Sequence, residues 1–171
     1  MWNYFQPVVA ALRALPGNQN LSPHALLEAL FPNLHYIWMV RRGKVAQAVS
    51  WAIAAQTGIY AAWQADVQPP LQEPVYDYEQ IDLLYRLVLE GEAGWHAFFE
   101  SHSISPLTIV YEDLVEAYEW TALQVLDFLA VANPGDLVFG QRKLKKQSTK
   151  INAAWAHTYR KTKWLDGDVA A

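Results

Sequence analysis

A chain of 171 residues with 53% hydrophobic content has the length of one ordinary domain and enough apolar residues for a real core. The lack of cysteine excludes disulfides, thiolate metal sites and cysteine nucleophiles, and no apolar run approaches the roughly 18 residues that would span a bilayer. The net charge of −4 is unevenly spread: of thirteen Lys and Arg residues, three lie in 41–44 and eight in 142–163, while fourteen of the seventeen acids lie in 66–136.

The first segment, "MWNYFQPVVAALRALPG", has helical apolar spacing over Trp2 to Leu15 and stops at Pro16-Gly17. It lacks the early basic residues and small-residue cleavage site of a secretory signal, so a soluble cytoplasmic protein is expected. A second helix is predicted up to Leu30, with Ser22 as N-cap and Pro23 at the first helical position. After a turn at Pro32-Asn33 comes "HYIWMV", His35 to Val40, apolar on both faces and therefore expected to be a buried parallel strand.

From Lys44 to about Trp63 the pattern is helical, with Val45, Val49, Ala52, Ile53 and Ile59 as its apolar stripe. Gln64 to Pro74, "QADVQPPLQEP", is a polar loop and the longest candidate lid. A strong amphipathic helix is predicted over Tyr78 to Ser101, burying Ile81, Leu84, Leu87, Val88, Trp95 and Phe98 or Phe99. Leu107 to Tyr111 reads as a second strand, "TALQVLDFLAV" as the helix after it, and Ser148 to Lys161 as the last helix. Strand alternating with helix predicts an α/β fold, a short parallel sheet flanked by helices, although only two strands are evident.

Arg41 and Arg42 sit at the carboxyl end of the first strand, the edge where open α/β sheets bind ligands. The following helix would offer N–H groups and a positive dipole end, the arginines bidentate grips, and Ser50 a hydroxyl. Two basic islands around an acidic middle point to a local anion such as a phosphate more than to a long polyanion. A surface arginine pair, and a solvated basic C-terminal helix, are the alternatives that physics alone leaves open.

"WMVRRGKVAQAVSWAIAAQTG" resembles the 3′-phosphate-binding segment of bacterial carbohydrate sulfotransferases, specifically the trehalose 2-sulfotransferase family. "GWHAFFESHSISPLTIVYEDL" with "VLDFLAV", and then "KKQSTKINAAWAHTYR", are similar to that family's later helix, strand, turn and closing helices. The resemblance implies a partial P-loop-NTPase-like sulfotransferase fold. It also implies transfer of a sulfuryl group from 3′-phosphoadenosine 5′-phosphosulfate to a carbohydrate hydroxyl. By the same resemblance Arg42 and Ser50, eight residues apart, would bind the donor's 3′-phosphate, with Arg41 as a second cation and Lys145, Lys146 and Gln147 closing over it. Homo-oligomers are implied, and neither a membrane nor a nucleic acid is implied as partner.

Members of that family begin with a strand and a Gly/Ser/Thr-rich loop around the 5′-phosphosulfate. The sequence contains no such loop and no acid that inherits the role of the family's carboxylate base. The expectation is that residues 1–171 form a single domain, the C-terminal portion of a sulfotransferase, which binds the donor or adenosine 3′,5′-bisphosphate without turning it over alone. A truncated sheet would expose an edge and apolar surface and favour self-association. The alternative is a non-enzymatic dimerisation or nucleic-acid interaction module built on a sulfotransferase remnant.

Glu112 and Asp113 in "YEDL" are expected to lie at the start of the next helix rather than to act as a catalytic pair, so no catalytic residue is assigned. The five histidines have no metal-ligand spacing, and no metal site is expected. His96 and His157 are expected in packing or at the surface, Trp95 and Trp155 in the core. Trp51 and Trp63 are left between core and ligand stacking.

Overall fold

A computed structural model describes residues 2–132, 135, 137–140 and 150–167. The described elements are α1 (Trp2–Arg13), α2 (Pro23–Leu30), β1 (Ile37–Val40), α3 (Lys44–Thr57), α4 (Ala62–Ala65), α5 (Tyr78–Ser101), β2 (Leu107–Val110), α6 (Tyr111–Glu116), α7 (Tyr118–Phe128) and α8 (Lys150–Gly167). This is a helix-dominated α/β arrangement with a short parallel sheet, as the alternation of strand and helix predicts. Among the described residues no helix is long and apolar enough to cross a membrane. The chain divides into two compact units, one of Met1–Val40 with Glu90–Gly135, the other of Arg41–Leu89 with Asp136–Ala171.

In the first unit β1 and β2 pair in parallel, Ile37 beside Leu107 through Val40 beside Val110. Tyr36 and Trp38 turn toward α5, where Trp38 meets Phe99 edge-on at 5.5 Å. The opposite face of β1 is uncovered, with Ile37 42% and Met39 51% exposed. This corrects the expectation of a strand buried on both sides: an all-apolar run need not be covered on both faces when the sheet has only two strands. Phe5, Val9, Leu26, Phe98 and Phe99 form the core of this unit, joined by Trp2, Trp95 and Tyr36. Ser22 caps α2 as expected, its Oγ accepting from the Ala25 N–H at 3.1 Å.

Gly94 is where α1 meets α5. A side-chain carbon at Gly94 would overlap the Trp2 indole, so the glycine is what lets the ring lie on the helix. The ring also packs edge-on to Trp95 at 5.2 Å.

The second unit is built on α3 and α8. Ala48, Val49 and Ala52 from α3 share a core with Ile81 and Leu84 from α5 and with Trp155, Ala156 and Tyr159 from α8. Small side chains on α3 let a bulky partner set approach its backbone. Val49 and Ile81, both fully buried, each contribute about 1.5–3 kcal/mol.

The helix expected to run from Lys44 to about Trp63 ends at Thr57 instead. Gly58 takes a left-handed φ of 72°, and its N–H bonds back to the Ala54 carbonyl at 2.8 Å, a glycine C-cap that the apolar periodicity had masked. α4 is a separate turn beyond it, so the loop expected from Gln64 starts only after Ala65. The last helix, expected over 148–161, extends to Gly167; its first two expected positions lie outside the described residues.

Candidate functional site

α3 carries the cationic stretch. Its buried alanines and valine fix the helix against the core. Arg42 is exposed and Arg41, Lys44 and Ser50 are half-buried. Gly43 is the N-cap, with no side chain capping the helix. A tight turn there joins the Lys44 N–H to the Arg42 carbonyl at 3.0 Å, and Gln47 N–H closes the first turn on the Gly43 carbonyl at 2.9 Å.

Ser50 lies six residues into α3, about 9 Å along the axis from Lys44 at a rise of ~1.5 Å per residue. The dipole effect of a helix end fades within its first turn. Ser50 is therefore beyond the reach of the N-terminal N–H groups. Ala46 and Ala54, one turn either side of Ser50, are small. The segment 41–57 contains three cations and no acid, which is the donor set that a dianionic phosphate requires. Arg41, Arg42 and Ser50 thus fall in one unit, on or just before one helix. Lys145, Lys146 and Gln147 lie outside the described residues.

The Gln-Thr-Gly end of the motif has a structural task. Gln56 holds Val75 through both ends of its carboxamide: Nε2 donates to the Val75 carbonyl at 3.0 Å and Oε1 accepts from the Val75 N–H at 2.8 Å. Thr57 is buried and donates to the Ile53 carbonyl at 2.8 Å, while its own carbonyl accepts from the Leu71 N–H at 2.9 Å. Gln64 Oε1 accepts from the N–H groups of Tyr60 at 2.7 Å and Ala61 at 2.8 Å. The segment read as a lid is therefore strapped to the end of α3.

Trp51 packs against the core, whereas Trp63 is 57% exposed. Trp155 is buried and Trp95 packs on the other core, as expected. His96 and His157 are exposed. Glu112 and Asp113 lie in the first turn of α6, where negative charge suits the helix dipole. Among the described residues no three His, Asp or Glu side chains gather as a metal site.

One constellation escaped the sequence reading. Asp82 on α5 accepts from the Tyr159 hydroxyl at 2.6 Å and from Lys163 Nζ at 2.5 Å, and Arg86 Nε lies 3.1 Å from its other oxygen. Burial alone would raise the Asp82 carboxyl, but the hydrogen bonds from Lys163 and Tyr159 and the charges of Lys163 and Arg86 outweigh it and hold the group below its ordinary range. Burial and the bond to Asp82 push the Tyr159 phenol up. The hydrogen bond to Asp82 does the same to Lys163, against its own desolvation. The partners are 77 and 81 residues apart, so no local signal could have joined them.

Compared with known protein families, residues 1–162 match the family described as Stf0 sulphotransferase. No curated protein matches the chain.

Proposed function

Because this chain belongs to the Stf0 sulphotransferase family, we propose that Arg42 and Ser50, with Arg41 beside them, bind the 3′-phosphate of 3′-phosphoadenosine 5′-phosphosulfate. The observation that carries this reading is the composition and placement of 41–57: three cations, a serine on a helix fixed by its buried face, and no acid. Lys145, Lys146 and Gln147 would close over the same phosphate. When bound, the donor supplies a sulfuryl group for a carbohydrate hydroxyl: the bond from sulfur to the phosphate oxygen breaks, a bond to the hydroxyl oxygen forms, and the hydroxyl proton leaves.

The residues of this chain orient the nucleotide and balance the charge of its 3′-phosphate. Among the described residues no Gly/Ser/Thr-rich loop follows a strand to hold the 5′-phosphosulfate. Transfer of this kind rests on positioning and charge stabilisation at the moving group. The proposal is therefore donor binding by residues 1–171, with turnover requiring more than these residues supply. Self-association in the cytoplasm belongs to the same proposal and is supported by the uncovered Ile37 and Met39.

Titration of adenosine 3′,5′-bisphosphate against adenosine 5′-monophosphate tests it. Tighter binding of the bisphosphate is expected, and equal or absent binding overturns the donor site. Affinity that ignores the 3′-phosphate and falls steeply with salt would assign the cations to a nucleic acid instead.

A further inference from the structure

α8 has a buried side and an acid-free side. Trp155, Ala156 and Tyr159 lie in the core, and Lys163 is clamped by Asp82, which fixes the rotation of the helix. On the opposite side Lys150, His157, Lys161 and Trp164 recur at i, i+7, i+11 and i+14, one stripe about 21 Å long at ~1.5 Å per residue, with Arg160 and Leu165 flanking it. All six are exposed.

Residues 137–165 contain no Asp or Glu, and neither does α3, the helix on which α8 packs. Among the described residues Lys150, Arg160 and Lys161 have no ion-pair partner. Asp82, which α5 brings to α8, is already taken by Lys163, Tyr159 and Arg86. At physiological salt, charges more than ~8 Å away are largely screened, so this face, rather than the net charge of −4, decides what α8 meets.

A basic face that meets only water gains nothing from apolar side chains, yet Trp164 is 75% and Leu165 60% exposed, one turn beyond Arg160 and Lys161. Two cations followed by two large apolar side chains suit a bilayer surface. Indole and leucine side chains settle at the boundary of headgroups and acyl chains, while Lys and Arg meet anionic headgroups. A nucleic acid would use the cations and stack on the indole, but it would leave Leu165 in water.

We propose that α8 docks on an anionic lipid surface, with Trp164 and Leu165 entering the headgroup boundary and Arg160 and Lys161 meeting the lipid charges. The helix lies on the surface; none of the described helices is long and apolar enough to cross it. None of the six residues belongs to the donor site proposed above.

The test is flotation of the full chain with vesicles of phosphatidylcholine alone, or of equal parts phosphatidylcholine and phosphatidylserine, with tryptophan emission followed in parallel. Binding is expected only with phosphatidylserine and should bring a blue shift. Arg160→Gln with Lys161→Gln should weaken it about thirtyfold and Trp164→Ser about tenfold, each variant keeping the parent's thermal unfolding midpoint because these side chains are exposed. The docking face is overturned if both vesicles bind alike, if neither binds, if the variants bind as the parent does, or if a single-stranded oligonucleotide binds more tightly than the vesicles, which would assign the face to nucleic acid. Self-association that Trp164→Ser abolishes, without vesicle binding, would overturn it in favour of a second copy. Adenosine 3′,5′-bisphosphate should leave vesicle binding unchanged, and release by the nucleotide would return these cations to the donor site and overturn the docking face.

Discussion

Tyr159, with no solvent exposure, donates its hydroxyl to Asp82 Oδ1 at 2.6 Å, and the same oxygen takes the Lys163 ammonium. The bond ties α8 to α5 inside the second unit. Tyr159→Phe should destabilise the protein by about 1–2 kcal/mol, since Asp82 keeps Lys163 and Arg86. Asp82→Ala should cost more, ~2–3 kcal/mol, because it strands a buried hydroxyl and removes the partner of two cations. Denaturant unfolding of both variants checks the order, and equal losses would refute it.

The same carboxylate sets the acid response. Its folded pKa lies below the unfolded one, so the stability it contributes is complete above the unfolded value and is lost as pH falls through the folded value. Lys163 and Tyr159 are shifted upward, so their contributions are complete below the unfolded values and disappear as pH rises through the folded ones. The parent should lose stability below about pH 4 and again above about pH 10. Asp82→Asn should flatten both limbs, measured by unfolding midpoints across pH.

Arg42→Ala should weaken adenosine 3′,5′-bisphosphate by at least about tenfold and leave the 5′-monophosphate nearly untouched, because a charge-assisted bond to the 3′-phosphate contributes ~1.5–3 kcal/mol. Ser50→Ala should have a smaller effect, about fivefold, and Arg42→Lys an intermediate one because lysine cannot grip bidentately. Calorimetric titration with the two nucleotides reads the ratio directly.

Two glycines separate conformational strain from crowding. Gly17 has φ 86° and open space where a side-chain carbon would go, whereas Gly58 has φ 72° and Leu71 Cδ1 2.9 Å from that position. Gly17→Ala should cost about 1 kcal/mol for its backbone alone. Gly58→Ala should cost about 1 kcal/mol more, as Leu71 must be displaced from the strap. Similar losses in thermal unfolding would show that Leu71 yields freely.

Gly94→Ala sets helix propensity against packing. Alanine in a helix interior is favoured by about 1 kcal/mol over glycine, but here it would overlap the Trp2 indole, and overpacking costs ~1–3 kcal/mol. A net loss of about 1 kcal/mol is expected, accompanied by a red-shifted tryptophan emission as Trp2 leaves its site. Stabilisation with unchanged emission would contradict the packing described.

What was legible along the chain was local. The Ser22 cap, the span of α5, the presence of two short strands and the cationic turn before α3 follow from neighbours within a few residues, where capping, periodicity and charge spacing act. The glycine stop at Gly58 is also local, but the apolar stripe continued past it toward Ile59 and hid it. The exposed face of β1 could not be read because burial is decided by what packs across a sheet, and "IWMV" has the same composition whether or not a layer covers it.

By itself, the sequence determined the order of the longer helices and the two strands, the family and the clustering of cations before Ser50, since each is written in residue types and short spacings. Only the tertiary structure decided that Gln56 and Thr57 strap the segment leading to α5, that Trp63 faces solvent while Trp51 joins the core, and that Asp82 meets Tyr159 and Lys163. Those relationships join residues up to 81 positions apart, and they form only once packed helices have brought the groups within hydrogen-bond reach.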